Sequence, residues 1–216
     1  MSEKFKYYRH YKNKPYRYVG VAKHSEDLKD YVIYECLYPN DLATLWIRPK
    51  DMFHEVSEFQ GKTTPRFTPV PYDIKSFDSI SGEVEKFLFP LCETIFKKFD
   101  PQSFKNRLNG KNKVKLFCFF IENEAVGFKL GYELDPQKYY SWLGGVVEKY
   151  RGLGVAGLLM QAQHDWAKSH GFNVIETKSE NRSKEMMILN LKSGFDIVGT
   201  EISSEGLLKT LFKKNL

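Results

Sequence analysis

The chain has 216 residues, of which 42% are hydrophobic, and its formal net charge is +6. This length suffices for one or two domains with a sizeable core, and no apolar run approaches the length of a membrane span. Cys36, Cys92 and Cys118 are isolated and odd in number. Their spacing excludes a disulfide framework and a Cys-x-x-Cys zinc site, and it favours the reducing cytoplasm as the location.

Aromatic and β-branched runs separated by turn residues predict short strands in the first part of the chain. These runs are Tyr16–Ala22, Tyr31–Tyr38 and Leu42–Arg48. Strands at this spacing are typical of a small antiparallel barrel or rolled sheet. The stretch that follows is rich in Pro, Thr and Ser, which predicts a semi-rigid linker at residues 71–80 between a domain at 1–70 and another at 81–216.

The first segment has a resemblance of its own. The stretches YRHYKNKPYRYVGVAKHSE, VIYECLYPND and LWIRPKDMF resemble a small bacterial domain family of uncharacterised function. This resemblance implies a fold and no activity. The same segment is basic and rich in tyrosine, so nucleic acid is one conceivable partner. The alternative is a solvated basic face over rings that are needed as core.

After residue 81 the hydrophobic period changes to three and four residues, which predicts helices as well as strands. The pattern predicts a mixed α/β unit with helices flanking its sheet. Its predicted elements are, in chain order, a helix over 82–99, a short helix over 103–108, strands over 114–121, 125–134 and 139–147, a long helix up to about 170, a strand over 173–178, a helix over 184–191 and a final strand pair from 196.

The most informative stretch, YRGLGVAGLLMQAQHDWAKSHGF, is a glycine-rich basic turn that leads into the long helix. Small residues at a helix start expose unpaired backbone N–H groups and the positive end of the helix dipole, which is a seat for phosphate. Gly152, Gly154 and Gly157 satisfy the GxGxxG spacing of a Rossmann fold. Arg151, Gly154 and Ala156 satisfy a rival pattern, Arg-x-x-Gly-x-Ala.

The Arg-x-x-Gly-x-Ala pattern resembles the acetyl-CoA pyrophosphate loop of the GNAT (Gcn5-related N-acetyltransferase) superfamily. About two-thirds of the chain precedes the loop, which is late for a first Rossmann unit, and the helix that ends in Ser193-Gly194-Phe195 also resembles GNAT proteins. The resemblance covers about residues 81–216. It implies a GNAT-fold mixed sheet, acetyl-CoA as co-substrate and an amine as acceptor, either a small molecule or a peptide.

The resemblance also implies where the co-substrate is held. A Gly144-Gly145 bulge would splay the strand from its neighbour, although these glycines could instead only relieve crowding under Trp142. Arg151 could bond a phosphate or merely cap the turn. The residues expected to contact the co-substrate are Val146 or Val147 through an oxyanion-binding N–H, the loop residues Arg151, Gly152, Leu153, Gly154, Val155, Ala156 and Gly157, and the later residues Asn181 and Asn190.

Two carboxylates are candidates for the base that deprotonates the amine. Glu176 interrupts an apolar strand beside the cofactor strand and is the first candidate, and Glu133 is the second. Either carboxylate could simply face solvent by strand alternation. GNAT enzymes commonly carry Tyr four residues before the final Gly-Phe, as the acid for the CoA thiolate. This sequence has Asn190 there, which has no titratable proton but could hydrogen-bond the sulfur.

Two functions follow from these features. The leading hypothesis is an acetyl-CoA-dependent N-acetyltransferase that transfers acetyl directly to an amine. The alternative is a catalytically weak or inactive acetyl-CoA-binding domain, coupled to a β domain that binds nucleic acid or protein. The acceptor, the acyl-chain preference and the oligomeric state cannot be predicted from these residues.

Overall fold

A computed structural model describes residues 5–216 of the chain. The chain divides into two compact units, with the boundary between Pro71 and Tyr72. We call them the N-terminal unit and the C-terminal unit and describe each by itself. Within residues 5–216, no helix is long and apolar enough to cross a membrane.

The N-terminal unit consists of short strands and one short helix. Its elements are β1 (Tyr7–His10), β2 (Pro15–Lys23), β3 (Asp30–Cys36), β4 (Leu45–Pro49), α1 (Lys50–His54), β5 (Val56–Phe59), β6 (Lys62–Pro65) and β7 (Phe67–Pro69). Five strands form an antiparallel sheet in the order β4-β3-β2-β1-β7, while β5 and β6 pair with each other. The all-β prediction is confirmed, apart from the single short helix.

The sheet of the N-terminal unit is open, which corrects the expectation of a barrel-like domain. Closure would require its edge strands β4 and β7 to pair, and within residues 5–216 they do not. The core instead forms on one face, where Phe53 of α1 stacks on Phe67 at 4.2 Å between ring centres. Most of the tyrosines that could have stacked on bases are part of this packing, including Tyr8, Tyr16 and Tyr18.

The C-terminal unit is a seven-stranded sheet with helices on both faces. Its elements are β8 (Tyr72–Phe77), α2 (Gly82–Ile95), α3 (Pro101–Leu108), β9 (Lys115–Ile121), β10 (Glu124–Asp135), β11 (Lys138–Val146), α4 (Val155–Ser169), β12 (Val174–Glu180), α5 (Lys184–Lys192), β13 (Asp196–Ile202) and β14 (Leu208–Asn215). The strand order is β13-β14-β12-β11-β10-β9-β8. Among the strands of residues 5–216, only β11 and β12 pair in parallel, so the predicted mixed α/β sheet is confirmed.

Most of the segment predicted as a linker, residues 71–80, is a strand. β8 pairs with β9 from Tyr72 opposite Ile121 to Phe77 opposite Leu116, and the ring of Tyr72 stacks on that of Phe119 at 4.8 Å. The edge of the sheet thus gains a hydrogen-bonded partner from a stretch that composition had assigned to a linker. Local composition does not reveal pairing with a strand some forty residues away.

Alternation along β10 explains how the helices lie on opposite faces of this sheet. Phe128 and Leu130 join the core cluster that α2 completes. Gly127 and Gly131 point to the other face, where Val155 of α4 lies close to Gly127. Because successive residues of a strand face opposite sides, residues 127, 129 and 131 of β10 all face α4.

Replacement of Gly131 by Ala tests this packing. A Cβ on Gly131 would lie 2.5 Å from both the Tyr139 ring and the Tyr140 carbonyl oxygen, whereas one on Gly199 of β13 would meet only Leu211, at 3.7 Å. We expect Gly131→Ala to lower the free energy of unfolding by about 3 kcal/mol, as overpacking does. The matched variant Gly199→Ala should change it by less than about 1 kcal/mol. Urea unfolding followed by circular dichroism measures both, and equal midpoints would contradict the packing described.

Candidate active site

The glycine turn follows β11 and ends at the start of α4. A short 3-10 turn over Glu148–Tyr150 leads into it, and its glycines Gly152 and Gly154 have φ angles of 75° and 94°. Residues with a side chain adopt such angles only at a cost of about 1–2 kcal/mol, which is why glycine stands there. The alternate residues Leu153 and Val155 are fully buried and anchor the turn to the core.

The backbone N–H groups of this turn face no acceptor of the protein. In the described part of the chain, the amides of residues 152–157 make no hydrogen bond, and the first bond of the helix is donated by Leu158 to the Gly154 carbonyl at 3.1 Å. Six consecutive free donors at a helix N-terminus form a site for an anion. A Cβ on Gly157 would meet nothing within 4 Å, so the space above the helix start is open.

Arg151 has a defined role in the turn. Its Nε donates to the Val146 carbonyl oxygen at 3.2 Å, and its backbone N–H donates to the Glu148 carbonyl at 3.0 Å. These two bonds connect the turn to the end of β11, so the structure shows the capping role that was one of the two alternatives for Arg151. A phosphate contact by the remaining guanidinium nitrogens stays a prediction.

β11 and β12 separate at the middle of the sheet. Their parallel pairing covers only three positions and stops at Tyr140 opposite Glu176. Beyond it, β12 stays paired with β14 as far as Glu180, and β11 stays paired with β10 as far as Val146. At the point of divergence, Thr177 Oγ1 donates to the Ser141 carbonyl oxygen at 2.7 Å. We call the opening beyond this bond the split.

The bulge in β11 lies earlier than predicted. Ser141 pairs with Gly131 and Leu143 with Leu130, so Trp142 is the extra residue. Gly144 and Gly145 pair regularly and serve close packing instead. A Cβ on Gly145 would lie 2.5 Å from Ile95 of α2, and one on Gly144 would lie 2.9 Å from the Phe128 carbonyl oxygen. The glycines therefore neither form the bulge nor relieve crowding under Trp142.

The hydrogen-bond pattern between β10 and β11 distinguishes the two candidate oxyanion donors, Val146 and Val147. The Val147 N–H donates to the Val126 carbonyl at 2.9 Å. Pairs in an antiparallel ladder alternate between two hydrogen bonds and none, so Val146, opposite Gly127, belongs to a non-bonded pair. Its N–H points away from β10, toward the split. The Gly144 N–H, two residues back, points in the same direction by the same alternation. The sequence did not identify it as a possible oxyanion donor, because the direction of an N–H depends on the register of the ladder.

The two candidate bases lie in different places. Glu176 is half-buried at the last paired position before the split. It also lies close to Tyr140. The pKa of Tyr140 rises to about 12, chiefly because the side chain is buried and next because of Tyr132. Arg107 lowers this pKa, while Glu201 and Glu176 raise it by smaller amounts.

Glu133 is opposite Tyr139 and Glu176 is opposite Tyr140, so both lie six or seven residues, about 20 Å of strand, before Val146. Glu133 is ion-paired with Lys113 at 3.2 Å. The two differ in strand and partner: Glu176 lies on β12 at the position where that strand leaves β11, whereas Glu133 lies on β10 with Lys113 as its ion-pair partner.

The two candidate asparagines follow β12 in the chain. Asn190 of α5 is buried and donates from Nδ2 to Ser179 Oγ of β12 at 3.1 Å. Ser179 lies in the part of β12 that has left β11, so Asn190 borders the split. Asn181 is exposed, and its backbone N–H donates to the Leu208 carbonyl at 2.9 Å while its side chain accepts from Lys184. Its position fits a turn residue.

Polar groups without partners gather between α4, α5 and the two separated strands. Within residues 5–216, buried side-chain atoms that lack a hydrogen bond include Ser141 Oγ, both amide atoms of Gln163, His164 Nε2 and Asn190 Oδ1. Burial, and then Lys214 and Lys129, lower the pKa of His164 to about 3. Such groups cost free energy unless a ligand or water satisfies them.

This polar layer was not predicted. Gln163 and His164 were visible as polar residues on the buried stripe of an amphipathic helix, but nothing in the sequence showed what they would face. The layer and the free amides of residues 152–157 together suit a long ligand with phosphates at one end and amide groups along its length.

Comparisons with known proteins agree with this geometry. Residues 83–187 match the family model described as Acetyltransferase (GNAT) family, and residues 6–69 match Protein of unknown function (DUF1653). No curated protein matches the chain in sequence.

Three solved structures illustrate the similarity in fold. Ard1 from Thermoplasma volcanium superposes with a TM-score of 0.59 at 17% identity, over 67% of this chain and 97% of that one. The ribosomal-protein-S18-alanine N-acetyltransferase from Escherichia coli gives 0.58 at 10% identity, over 67% and 94%.

A GNAT family acetyltransferase from Elizabethkingia anophelis with acetyl-CoA bound gives 0.52 at 16% identity, over 67% and 98%. The C-terminal unit therefore has the fold of these acetyltransferases and matches the GNAT family model over residues 83–187, while residues 6–69 match the DUF1653 model.

Proposed function

We propose that the C-terminal unit is an acetyl-CoA-dependent N-acetyltransferase that transfers acetyl directly to an amine. The observation that carries the proposal is the run of free backbone N–H groups at residues 152–157, which follows the end of β11, the strand that separates from β12. A family model of acetyltransferases and a similar fold that holds acetyl-CoA support it.

Each part of the split has a distinct task in this proposal. The amides of residues 152–157 bind the pyrophosphate of acetyl-CoA, and the opening between β11 and β12 receives its pantetheine arm. Acetyl-CoA supplies the activated acetyl group as a thioester. The Val146 N–H, held rigidly by the ladder, stabilises the oxyanion that forms when the amine attacks, a contribution on the order of 3 kcal/mol to the barrier.

Glu176 is the base in this proposal. Its carboxylate lies where the split begins, six residues of β11 before Val146, and takes up the proton of the incoming amine through water. Asn190 holds no titratable proton, so its part is positional. Its Nδ2 is engaged by Ser179, while Oδ1 is left to accept a hydrogen bond from a ligand.

A second function rests on a cation cluster in the N-terminal unit. Burial, and then the charges of Arg66, Arg48 and Lys12, lower the pKa of His10 to about 4. Arg48 Nε is buried and makes no hydrogen bond within residues 5–216. In this alternative, the C-terminal unit binds acetyl-CoA without efficient turnover and the N-terminal unit binds an anionic partner such as single-stranded RNA. Salt-dependent retardation of RNA by the protein supports it, and no retardation at low salt argues against it.

The variant Gly154→Glu tests co-substrate binding. It adds a side chain at a φ of 94° and a negative charge beside the phosphate seat, so we expect the affinity for acetyl-CoA to fall by about 100-fold or more, equivalent to roughly 3 kcal/mol. Isothermal titration calorimetry measures it. The control Gly110→Glu places the same charge at a φ of 70° in the turn after α3, with open space around it. Equal affinities in the two variants would refute the seat.

The variant Glu176→Gln tests the base. We expect the rate of CoA release with an accepted amine to fall by about 100-fold, which is typical when a general base is lost. The dissociation constant of acetyl-CoA should change less than about twofold, because the phosphate seat is not touched. Glu133→Gln, on β10 and outside the strand pair that forms the split, should keep its turnover. A Glu176→Gln enzyme with full turnover would remove Glu176 from the mechanism.

A further inference from the structure

Lys129 is a buried cation without a partner in the middle of the C-terminal unit. It lies on β10 between Gly127 and Gly131, faces α4 and is only 6% exposed. Among the described residues, its ammonium forms neither a hydrogen bond nor an ion pair. Lys115, the other buried lysine, is by contrast bonded to Asp78 Oδ1 at 2.8 Å.

Lys129 lies opposite Gly144, in the part of β11 that borders the split. Its Cγ would lie 3.6 Å from a Cβ built on Gly144, so the missing side chain of Gly144 leaves room for the lysine to cross β11. Its charge also acts on His164, whose Nδ1 contacts Lys214 of β14 at 3.2 Å. Lys129 and His164 therefore lie near each other on the face of the sheet that α4 covers.

Within residues 5–216, no carboxylate contributes to the pKa of Lys129, which burial alone lowers. The titratable groups on the elements packed around it are His164 of α4, Lys214 of β14, Tyr139 of β11 and Lys115 of β9, and Glu133, further along the same face of β10, is ion-paired with Lys113. Burial lowers the pKa of Lys129 to about 8. A cysteine thiol has an ordinary pKa of about 8.5, and a proton passes between a lysine and a thiol of similar pKa with little change in free energy, which suits general acid catalysis.

We propose that Lys129 is the acid that protonates the CoA thiolate as it leaves, a role that rests on the proposed acetyl transfer. The amine nitrogen bonds to the thioester carbonyl carbon, the C–S bond breaks, and its electron pair stays on sulfur. Lys129 gives one proton from Nζ to that sulfur and becomes a neutral amine. Glu176 takes the surplus proton of the acceptor amine, and solvent returns one to Lys129, so the products are the amide and CoA thiol.

A purely structural role does not account for this residue. A buried charge without a partner is costly, and a methionine would fill the same space with apolar atoms. We therefore expect Lys129→Met to raise the midpoint of thermal unfolding while it lowers turnover. A lower midpoint together with unchanged turnover would show that Lys129 only supports the fold.

The pH dependence of turnover tests the acid. The wild-type rate should fall as the pH rises through about 8, because the donor must be protonated. Lys129→Met should lose about 100-fold in rate together with this alkaline limb. The matched control Lys115→Met, which removes a buried lysine outside the split, should keep both. Lys129→Arg retains the charge but releases no proton, so a wild-type rate in that variant would overturn the proposal.

A binding measurement separates this proposal from the acetyl transfer on which it rests. The wild type should bind CoA about tenfold more tightly than desulfo-CoA at pH 8, because the ammonium contacts the sulfur, and Lys129→Met should bind both equally. If both proteins show the same preference, Lys129 is not at the sulfur. If the wild type binds no acetyl-CoA at all, the proposed function fails first. A gain of one acetyl group on Lys129, seen by mass spectrometry, would make it a nucleophile and overturn its role as acid.

Discussion

The short parallel pairing between β11 and β12 is the constraint on which the rest of the C-terminal unit depends. The five other neighbouring pairs of the sheet are antiparallel. A parallel pair needs a crossover, usually a helix, and α4 is that crossover, so it must begin where β11 ends. When the pairing stops at Tyr140 and Glu176, each strand keeps its outer partner. The sheet therefore opens between β11 and β12, while each of these strands stays hydrogen-bonded to its other neighbour.

The opening explains why unsatisfied polar groups concentrate in one layer. Each buried polar group that lacks a hydrogen bond costs about 1–3 kcal/mol, and the net stability of a domain is only about 5–15 kcal/mol. Ser141, Gln163, His164 and Asn190 all carry such atoms. Scattered through the core they would be hard to tolerate, but around the split a single bound ligand can satisfy several of them at once.

What the sequence could predict depends on how local the determining interaction is. The turn at residues 151–157 and the start of α4 are set by neighbouring residues, so spacing alone indicated both. The bulge at Trp142 and the strand at Tyr72–Phe77 depend on register with partners far along the chain. Composition predicted the bulge at Gly144-Gly145 instead of Trp142, and it predicted a linker where the strand forms. The sequence did not identify Lys129 as a candidate site residue, because an isolated lysine in a strand normally lies on the solvated face.

The same nonlocal packing gives Lys129 its environment. Gly127 and Gly131 flank it on β10, and any Cβ there would meet Val155 at 3.1 Å or the Tyr139 ring at 2.5 Å. These glycines let α4 and β11 approach β10 closely enough to enclose the lysine and withdraw it from water. Val155 is also the first residue of α4, and its amide belongs to the free run at 152–157. The contact between Gly127 and Val155 therefore helps to position the phosphate seat as well as the helix that covers the buried ammonium.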